Sequence, residues 1–292
     1  MRTSAACLSC FAEQASYTAR LATSNPELQK EIEAEASGLI AGIDFKLSPP
    51  ENAVSLYRMI AEKSARPDIF ADLKSMSNET ALQMLPRLEK TLAKSADPLR
   101  TAILLAIAGN VIDYGSHQNF DIELTVEECL NRDLALNDLA DFRYDLQEAR
   151  KVLYLGDNCG ELAFDRLMVQ TIRQTEGEVI FAVKEGPIIN DALKVDAEAC
   201  GLDDLCRIIS NGTDCPGTPL RKCSKEFRRA FAEADLIISK GQGNFETLSE
   251  VSAPIYFLLM VKCQVVADHV AEIAGRPVGS IKTGDLVLLK KR

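Results

Sequence analysis

The spacing of apolar residues divides the chain into two parts with different periodicity. Between residues 4 and 150 apolar side chains recur every three to four positions, for example at Leu82, Leu85, Leu88 and Leu92. This is the period of an amphipathic helix. Pro26, Pro49, Pro67 and Pro98 are predicted to stand in the first turn of a helix, where proline is tolerated, and to end the preceding helix. The first half of the chain is therefore predicted to be helical, without strands.

From Lys151 onward, short apolar runs alternate with stretches of helical spacing. The predicted strands are 152–155, 179–183, 208–210, 236–239 and 255–261, and the predicted helices are 161–174, 190–200, 219–233 and 263–274. This alternation is typical of βα units with a parallel sheet. We therefore expect an α/β protein, with an N-terminal helical domain (1–150) and a Rossmann-like three-layer α/β/α domain (151–292) that has a mainly parallel sheet. Segments 278–282 and 286–289 are predicted to form a hairpin at one edge.

Composition narrows the class of protein. The 292 residues are 47% hydrophobic and 26% charged, which excludes a disordered chain, and no apolar run is long enough for a membrane-spanning helix. Because 33 basic residues stand against 43 acidic ones, for a net charge of −10, nucleic acid is a poor candidate partner. Nine cysteines without a signal-peptide pattern indicate reduced thiols. We expect a cytoplasmic protein.

Polar residues follow the predicted strands directly. Asp157 and Asn158 come after the first strand and Asp191 follows the second. Since ligands of parallel sheets bind at the carboxyl ends of the strands, these oxygens are candidate ligands for Mg²⁺ or Mn²⁺. The alternative is that the two aspartates cap helices.

A second candidate, for phosphate binding, is the segment Lys240-Gly241-Gln242-Gly243-Asn244. It places a lysine and accessible backbone donors at a strand end before a helix, although a flexible turn with a solvated lysine would have the same sequence. Gly160 is predicted to leave backbone N–H groups open to an anion in the same way. Neither loop matches the P-loop or dinucleotide pattern.

Other residues leave more than one interpretation open. Cys7 and Cys10 could form a metal or redox pair completed by Cys263 with His269, or by Cys159, or they could be buried helical cysteines. Asn110 and Asp113 lie three residues apart at the end of an apolar helix and could orient a ligand or cap the helix. Since His117 and His269 are the only histidines, acid–base chemistry falls to carboxylates or to metal-activated water.

Five segments together resemble the metal-dependent damage-control phosphatase family of ARMT-like proteins, a former domain of unknown function. They are Gly109-Asn110-x-x-Asp113, Asp157-Asn158-x-Gly160-Glu161, Lys184-x-x-Pro187-x-x-Asn190-Asp191, Ser239-Lys240-Gly241-Gln242-Gly243-Asn244-Phe245-Glu246 and Leu259-x-x-Lys262-Cys263. Their order and spacing are far more specific than any one of them. The cysteine pair resembles the mainly prokaryotic branch of that family.

The resemblance implies a divalent metal ion (Mg²⁺, Mn²⁺, Co²⁺ or Ni²⁺) held by Asp157, Asn158 and Asp191. It also implies hydrolysis of phosphate monoesters of small metabolites, such as sugar phosphates or phosphopantetheine-like compounds. Lys240 would contact the phosphate, with backbone N–H groups near Gly160, Gly243 and Asn244. The candidates to orient the water or the leaving alcohol are Asp113, Asn110 and Glu246. Attack by water is favoured over attack by Asp157, which is already a ligand.

Two other functions are compatible with the sequence. A glycine-containing first loop could bind S-adenosylmethionine for a carboxyl methyltransferase, although that cofactor gives the acidic set and Lys240 no evident role. A metabolite-binding protein without catalysis is the second alternative. The substrate and the oligomeric state are left open.

Overall fold

The computed structural model describes residues 1–111 and 122–291, with the side chains of all of them except residues 111, 122, 123 and 125. Within these residues it contains twelve α-helices and seven strands. The helices are α1 (Cys7–Ala22), α2 (Pro26–Ala41), α3 (Pro49–Ser64), α4 (Ala71–Ala93), α5 (Pro98–Val111), α6 (Ile122–Asn131), α7 (Leu139–Glu148), α8 (Leu162–Ile172), α9 (Lys194–Ala199), α10 (Lys225–Glu233), α11 (Gln242–Leu248) and α12 (Gln264–Ile273). The strands are β1 (Leu136–Asn137), β2 (Lys151–Leu155), β3 (Glu178–Val183), β4 (Arg207–Ser210), β5 (Leu236–Lys240), β6 (Ile255–Met260) and β7 (Leu286–Lys290).

Helix starts in the first half follow from local sequence. Helix α2 begins at Pro26, and the Asn25 side chain accepts a hydrogen bond from the N–H of Glu27. Helix α3 begins at Pro49, after Ser48, in a capping box. Both prolines occupy the first turn, where their missing N–H groups have no helical acceptor to lose. The predicted helix starts at Pro26, Pro49 and Pro98 are thus confirmed, whereas the one at Pro67 is wrong, because α4 begins only at Ala71.

The sheet is mainly parallel, as predicted, with the strand order β1-β7-β6-β5-β2-β3-β4. Strand β2 is an interior strand of the sheet and pairs in parallel with β3 on one side and β5 on the other. The chain therefore leaves β2 in one direction and later returns to its opposite side. Such a reversal of strand order opens a crevice at the carboxyl ends of the strands, where ligands of this fold class bind.

The expected hairpin of segments 278–282 and 286–289 is wrong. Only the second segment is a strand, β7, and it pairs antiparallel with β6 and in parallel with β1. Because both edges of β7 are occupied by these partners, no edge is left for segment 278–282, which forms turns. The expectation of no strand in the first half is also wrong, since β1 lies there, but two residues are too short for a periodic signal.

Helices cover both faces of the sheet and confirm the three layers. Val152 and Tyr154 of β2 face a core that includes α4, α5 and α8, whereas Leu153 and Leu155 face α10, α11 and α12. Side chains of a strand alternate between faces, so each face buries every second residue. The first core extends across residue 150, and α1–α3 enclose a smaller core of their own with Ile188. Among the described residues, no helix is long and apolar enough to span a bilayer.

Candidate functional site

A cavity of about 680 Å³ opens at the carboxyl ends of the central strands, between the sheet and the N-terminal helices. Several of the side chains predicted from the sequence line it, with Asn110, Asp157, Asn158 and Asp191 in its floor and Glu246 in its wall. Its outer wall comes from α1 and α3, with Cys7, Cys10, Phe11, Ala53 and Tyr57. The strand-end residues and the end of α5 therefore meet in one place, although they are up to about 140 residues apart in sequence.

Asp157 stands at the centre of this floor in a network of buried polar side chains. Its Oδ2 accepts hydrogen bonds from the amide nitrogens of Asn110, at 2.9 Å, and Asn158, at 3.0 Å. The same two amides also donate to Oε1 of Glu161, at 2.6 and 2.8 Å. Each amide thus joins the two carboxylates, and the side chains of Asp157 and Glu161 are held close together.

Two glycines permit this close approach. Helix α5 packs against the start of α8 at Gly109, where an added Cβ would lie 3.2 Å from Cα of Glu161, so the glycine brings Asn110 within reach of the carboxylates. Gly241 has φ +75°, and an added Cβ would lie only 1.8 Å from Oδ2 of Asp157. Both features require a residue without a side chain. The glycines of two motifs therefore create space for Asp157 and its partners.

The second aspartate lies on the neighbouring loop, after β3. Asn158 and Asp191 form an isolated antiparallel bridge, and the N–H of Ala192 donates to the carbonyl of Asp157 at 2.9 Å. The backbone of Ile189 has φ +38°, an uncommon conformation for a β-branched residue, which only a constrained loop maintains. Lys184 at the end of β3 lies 3.5 Å from Oδ2 of Asp191, and both side chains are buried. The two acidic loops are thus joined through their backbones.

The electrostatics of this centre favour a bound cation. Burial, together with the charges of Glu161 and Asp191, raises the pKa of Asp157 well above its ordinary value. Burial likewise raises the pKa of Asp191, although Lys184 opposes the shift. Among the described residues no cationic side chain forms an ion pair with Asp157. A divalent cation near these oxygens would favour their charged forms.

One buried oxygen at this centre, Oδ1 of Asn110, also lacks a hydrogen-bond donor, whereas Oδ2 of Asp191 has no hydrogen bond but lies 3.5 Å from Nζ of Lys184. A buried acceptor without a donor is costly unless a cation or water satisfies it. Within residues 1–111 and 122–291, no three His, Cys, Asp or Glu side chains form a metal cage by themselves. The donor set is instead a mixture of carboxylate and amide oxygens, which suits Mg²⁺ or Mn²⁺ with waters completing the shell. The residues present fit such an ion.

Lys240 has a different environment from the one the resemblance implies. Its side chain is fully buried, and Nζ lies 2.9 Å from Oε2 of Glu161 and 2.7 Å from Oδ1 of Asp165. Burial lowers the pKa of the lysine, but the two carboxylates outweigh it and raise the pKa above its ordinary value. Lys240 does not line the cavity. It is therefore placed to hold Glu161 and Asp165 and not to contact a phosphate.

Most of the residues expected to bind the phosphate form hydrogen bonds with other groups of the protein. The N–H of Gly160 donates to Oδ1 of Asn78 at 2.8 Å. Asn244 is fully buried, and its amide donates to the carbonyls of Gly156 and Lys240 at 3.1 and 2.9 Å. It ties the ends of two strands together. Of this group only Gly243 lines the cavity.

Two ionisable side chains remain open to the cavity on its other side. Glu246 lies in the wall, and burial raises its pKa to about 7, against the lowering effect of a hydrogen bond from Gln242. Lys262 is exposed and lines the same cavity, and its charge lowers the pKa of both Asp157 and Glu246. Lys262 therefore lines the cavity with its charge, whereas Lys240 does not line it.

The cysteine pair lies at the cavity but without a complete metal site. Cys7, Cys10, Cys159 and Cys263 all line the cavity, and Gln14 donates to Sγ of Cys10 at 3.3 Å. His269 is outside the lining and bonds to Ser249 and Glu272 instead. In the described part of the chain these cysteines belong to no group of three or more metal-binding side chains. Burial raises the pKa of both Cys10 and Cys263, which disfavours reactive thiolates.

Sequence reasoning missed several members of the site. Glu161 and Lys184 stood inside the recognised segments, but only the folded structure shows that Glu161 shares its amide donors with Asp157 and that Lys184 lies beside Asp191. Nothing in the sequence around Asn78 marks it as a partner of Gly160. Asp113 and His117 lie outside the described residues, so their predicted roles stay predictions.

Comparison with known proteins agrees with the motifs. A family model described as the damage-control phosphatase ARMT1-like domain matches residues 3–276. A damage-control phosphatase of Pyrococcus horikoshii is 38% identical over 265 residues, covering 89% of this chain and 91% of the relative. A damage-control phosphatase of Archaeoglobus fulgidus is 33% identical over 290 residues, covering 96% and 99%. The crystal structure of a DUF89 family protein from P. horikoshii aligns with a TM-score of 0.91 at 34% identity, covering 100% of both chains.

Proposed function

Because the chain belongs to the damage-control phosphatase ARMT1-like family, as its five motifs indicated, we propose that it hydrolyses phosphate monoesters of small metabolites with a divalent metal ion. The substrate is a small phosphorylated metabolite, in keeping with the names of the archaeal relatives. Asp157, Asn158 and Asp191 hold the ion, together with the free amide oxygen of Asn110. Mg²⁺, Mn²⁺, Co²⁺ and Ni²⁺ are the candidate metals.

A single observation supports this proposal most directly. Asp157 is buried beside Glu161 and Asp191 in the floor of the cavity, with amide donors but no cationic partner among the described residues. Burial of a charged carboxylate next to two other carboxylates is unfavourable unless a cation neutralises it. When bound there, a divalent ion would polarise the phosphate and supply a nucleophilic water at neutral pH.

The side chains around the ion then have separable tasks. Lys240 neutralises Glu161 from below, so Oε1 of Glu161 stays in place to accept from Asn110 and Asn158. These amides in turn fix the orientation of Asp157. Positioning of this kind matters because displacement of a ligand by a fraction of an ångström weakens both binding and catalysis.

On the open side of the cavity, Lys262 is placed to neutralise the charge of the phosphate group, which grows during its transfer. Glu246, with a pKa of about 7, is half protonated near neutral pH. A carboxyl group of that pKa can donate a proton to the leaving alcohol. Gly243 is also part of the lining, and its missing side chain leaves room for the carbonyl oxygen of Pro216, which would lie 1.8 Å from an added Cβ.

The test is phosphate release by the purified protein from sugar phosphates, phosphopantetheine and an aryl phosphate. Each substrate is tried with Mg²⁺, Mn²⁺, Co²⁺ or Ni²⁺ and with a chelator. We expect metal-dependent release that Asp191→Ala abolishes while the protein stays folded. Phosphate release that persists in the presence of chelator would refute the proposed dependence on a metal ion. Absence of release with every metal, together with binding of S-adenosylmethionine, would instead identify a methyltransferase.

A further inference from the structure

One buried amide outside the cavity contacts the first of the two loops that present the acidic side chains directly, and it reaches the second through Asp196 of α9. Asn78 lies on α4, is buried and does not line the cavity. Its Oδ1 accepts from the N–H of Gly160 at 2.8 Å, and its Nδ2 donates to Oδ1 of Asp196 at 3.0 Å. Gly160 lies in the loop after β2, between Asp157 and Glu161.

Asp196 connects the other end of this amide to the loop after β3. Its second oxygen, Oδ2, accepts from the N–H of Leu193 at 2.9 Å, two residues beyond Asp191. The first loop is thus held through Gly160 and the second through Asp196. An asparagine suits this position because one planar group offers an acceptor to one side and donors to the other.

We infer that Asn78 is a positioning residue that sets the relation between the loops of Asp157 and Asp191. The two loops also bond to each other, through the N–H of Cys159 and the carbonyl of Asn190 at 2.8 Å. Asn78 adds an anchor from the helical layer, so the pair of loops is fixed to the rest of the fold. Direct partners of metal ligands typically change metal affinity 10–100-fold when they are mutated. Asn78 acts one contact further out, through Gly160 and Asp196, so we expect the lower end of that range.

The effect on cation affinity rests on the proposed function, whereas the effect on the loops does not. Two measurements therefore separate the two claims. Hydrogen–deuterium exchange of the peptides covering 157–162 and 188–194 reports the loops without any metal. Calorimetric titration with Mn²⁺ measures the cation affinity of the site at Asp157 and Asp191.

The variants are chosen by hydrogen-bonding capacity. Asn78→Leu keeps the approximate volume but removes both hydrogen bonds. Asn78→Asp keeps an acceptor for Gly160 but places a carboxylate against Asp196, and the added change Asp196→Asn restores a donor there. The double variant recreates every hydrogen bond with the roles exchanged. Ser77→Ala is the matched control, because Ser77 is buried on the same helix and its hydroxyl, among the described residues, donates to the Leu73 carbonyl within that helix.

We expect exchange in both peptides to be at least about tenfold faster in Asn78→Leu and Asn78→Asp, and Mn²⁺ to bind about tenfold or more weakly. The double variant should recover both values, and Ser77→Ala should leave both unchanged. Wild-type exchange in Asn78→Leu and Asn78→Asp would overturn the inference, as would failure of the double variant to recover. If the wild-type protein binds no Mn²⁺, the proposed function is wrong, and the exchange rates still decide the role of Asn78.

Discussion

Lys240 and Glu161 form a fully buried ion pair, with 2.9 Å between Nζ and Oε2, although they are 79 residues apart in the chain. Asp165 is the second partner of the lysine, and it also accepts from the hydroxyl of Tyr154 at 2.6 Å. The other oxygen of Glu161 accepts hydrogen bonds from the amides of Asn110 and Asn158. The ion pair therefore helps to hold the two amides that also bond to Asp157.

Replacement of this lysine tests that arrangement. Lys240→Met leaves Glu161 and Asp165 buried without their cation, and breaking a buried pair in this way costs roughly 3–5 kcal/mol. We expect the free energy of unfolding in urea to fall by that amount. A change below about 1 kcal/mol, within the range of ordinary surface substitutions, would show that the lysine is not paired as described.

Replacement of Lys262 is expected to change substrate binding and not the stability of the fold. Lys262 is exposed at the cavity, so Lys262→Met should leave the free energy of unfolding within about 0.5 kcal/mol of the wild type. Loss of its charge should instead raise the KM for a phosphate monoester by about tenfold or more, equivalent to ~1.4 kcal/mol. Steady-state kinetics on both lysine variants checks this. An unchanged KM in Lys262→Met would remove Lys262 from the phosphate site.

Gly241 is expected to be intolerant of any side chain because of Asp157. In Gly241→Ala the new Cβ would overlap Oδ2 of Asp157, so the carboxylate must move and Mn²⁺ affinity should fall at least about tenfold. Gly275→Ala is the matched control, because Gly275 also has a positive φ, of +64°, but nothing lies near its missing side chain. That variant should lose only about 1 kcal/mol of stability from backbone strain. Equal Mn²⁺ affinity in the two variants would contradict the assigned contact.

Glu246 makes stability depend on pH in a defined direction. Its pKa is raised from 4.5 to about 7 by burial, so the folded protein binds the proton more tightly than the unfolded chain does. The resulting stabilisation is complete below pH 4.5 and is lost as the pH rises through 7, by roughly 3 kcal/mol at most. Because burial also raises the pKa of Asp157 and Asp191, Glu246→Gln should reduce, without abolishing, the slope of the unfolding free energy between pH 5 and 8. An identical slope in the variant would show that another group is responsible.

The sheet was largely predictable from the sequence, because buried parallel strands are short apolar runs. The five predicted strands correspond to β2–β6 within one residue at each end. The error at segment 278–282 arose because a turn at Gly284 between two apolar segments fits a hairpin. Only tertiary structure shows that β7 is already paired on both edges.

The site was predictable in its residue types but not in its contacts. Position after a strand was enough to bring Asp157 and Asp191 together, since strand ends meet at one edge of a sheet. A lysine at a strand end can point toward a ligand or into the protein interior. Lys240 was predicted to face a ligand, but its contact with Asp165, which is distant in sequence, directs it into the interior. Asn78 could not be found at all, because its role depends on a helix packing against two loops.

The most direct test of the account is a calorimetric titration of metal-stripped protein with Mn²⁺, comparing the wild type with Asp157→Asn and Asp191→Asn. The account predicts about one Mn²⁺ per wild-type chain and no measurable binding in either variant, with circular dichroism showing that both are folded. Phosphate release measured on the same samples should disappear together with binding. Wild-type Mn²⁺ affinity in both variants would contradict the assignment of the metal centre.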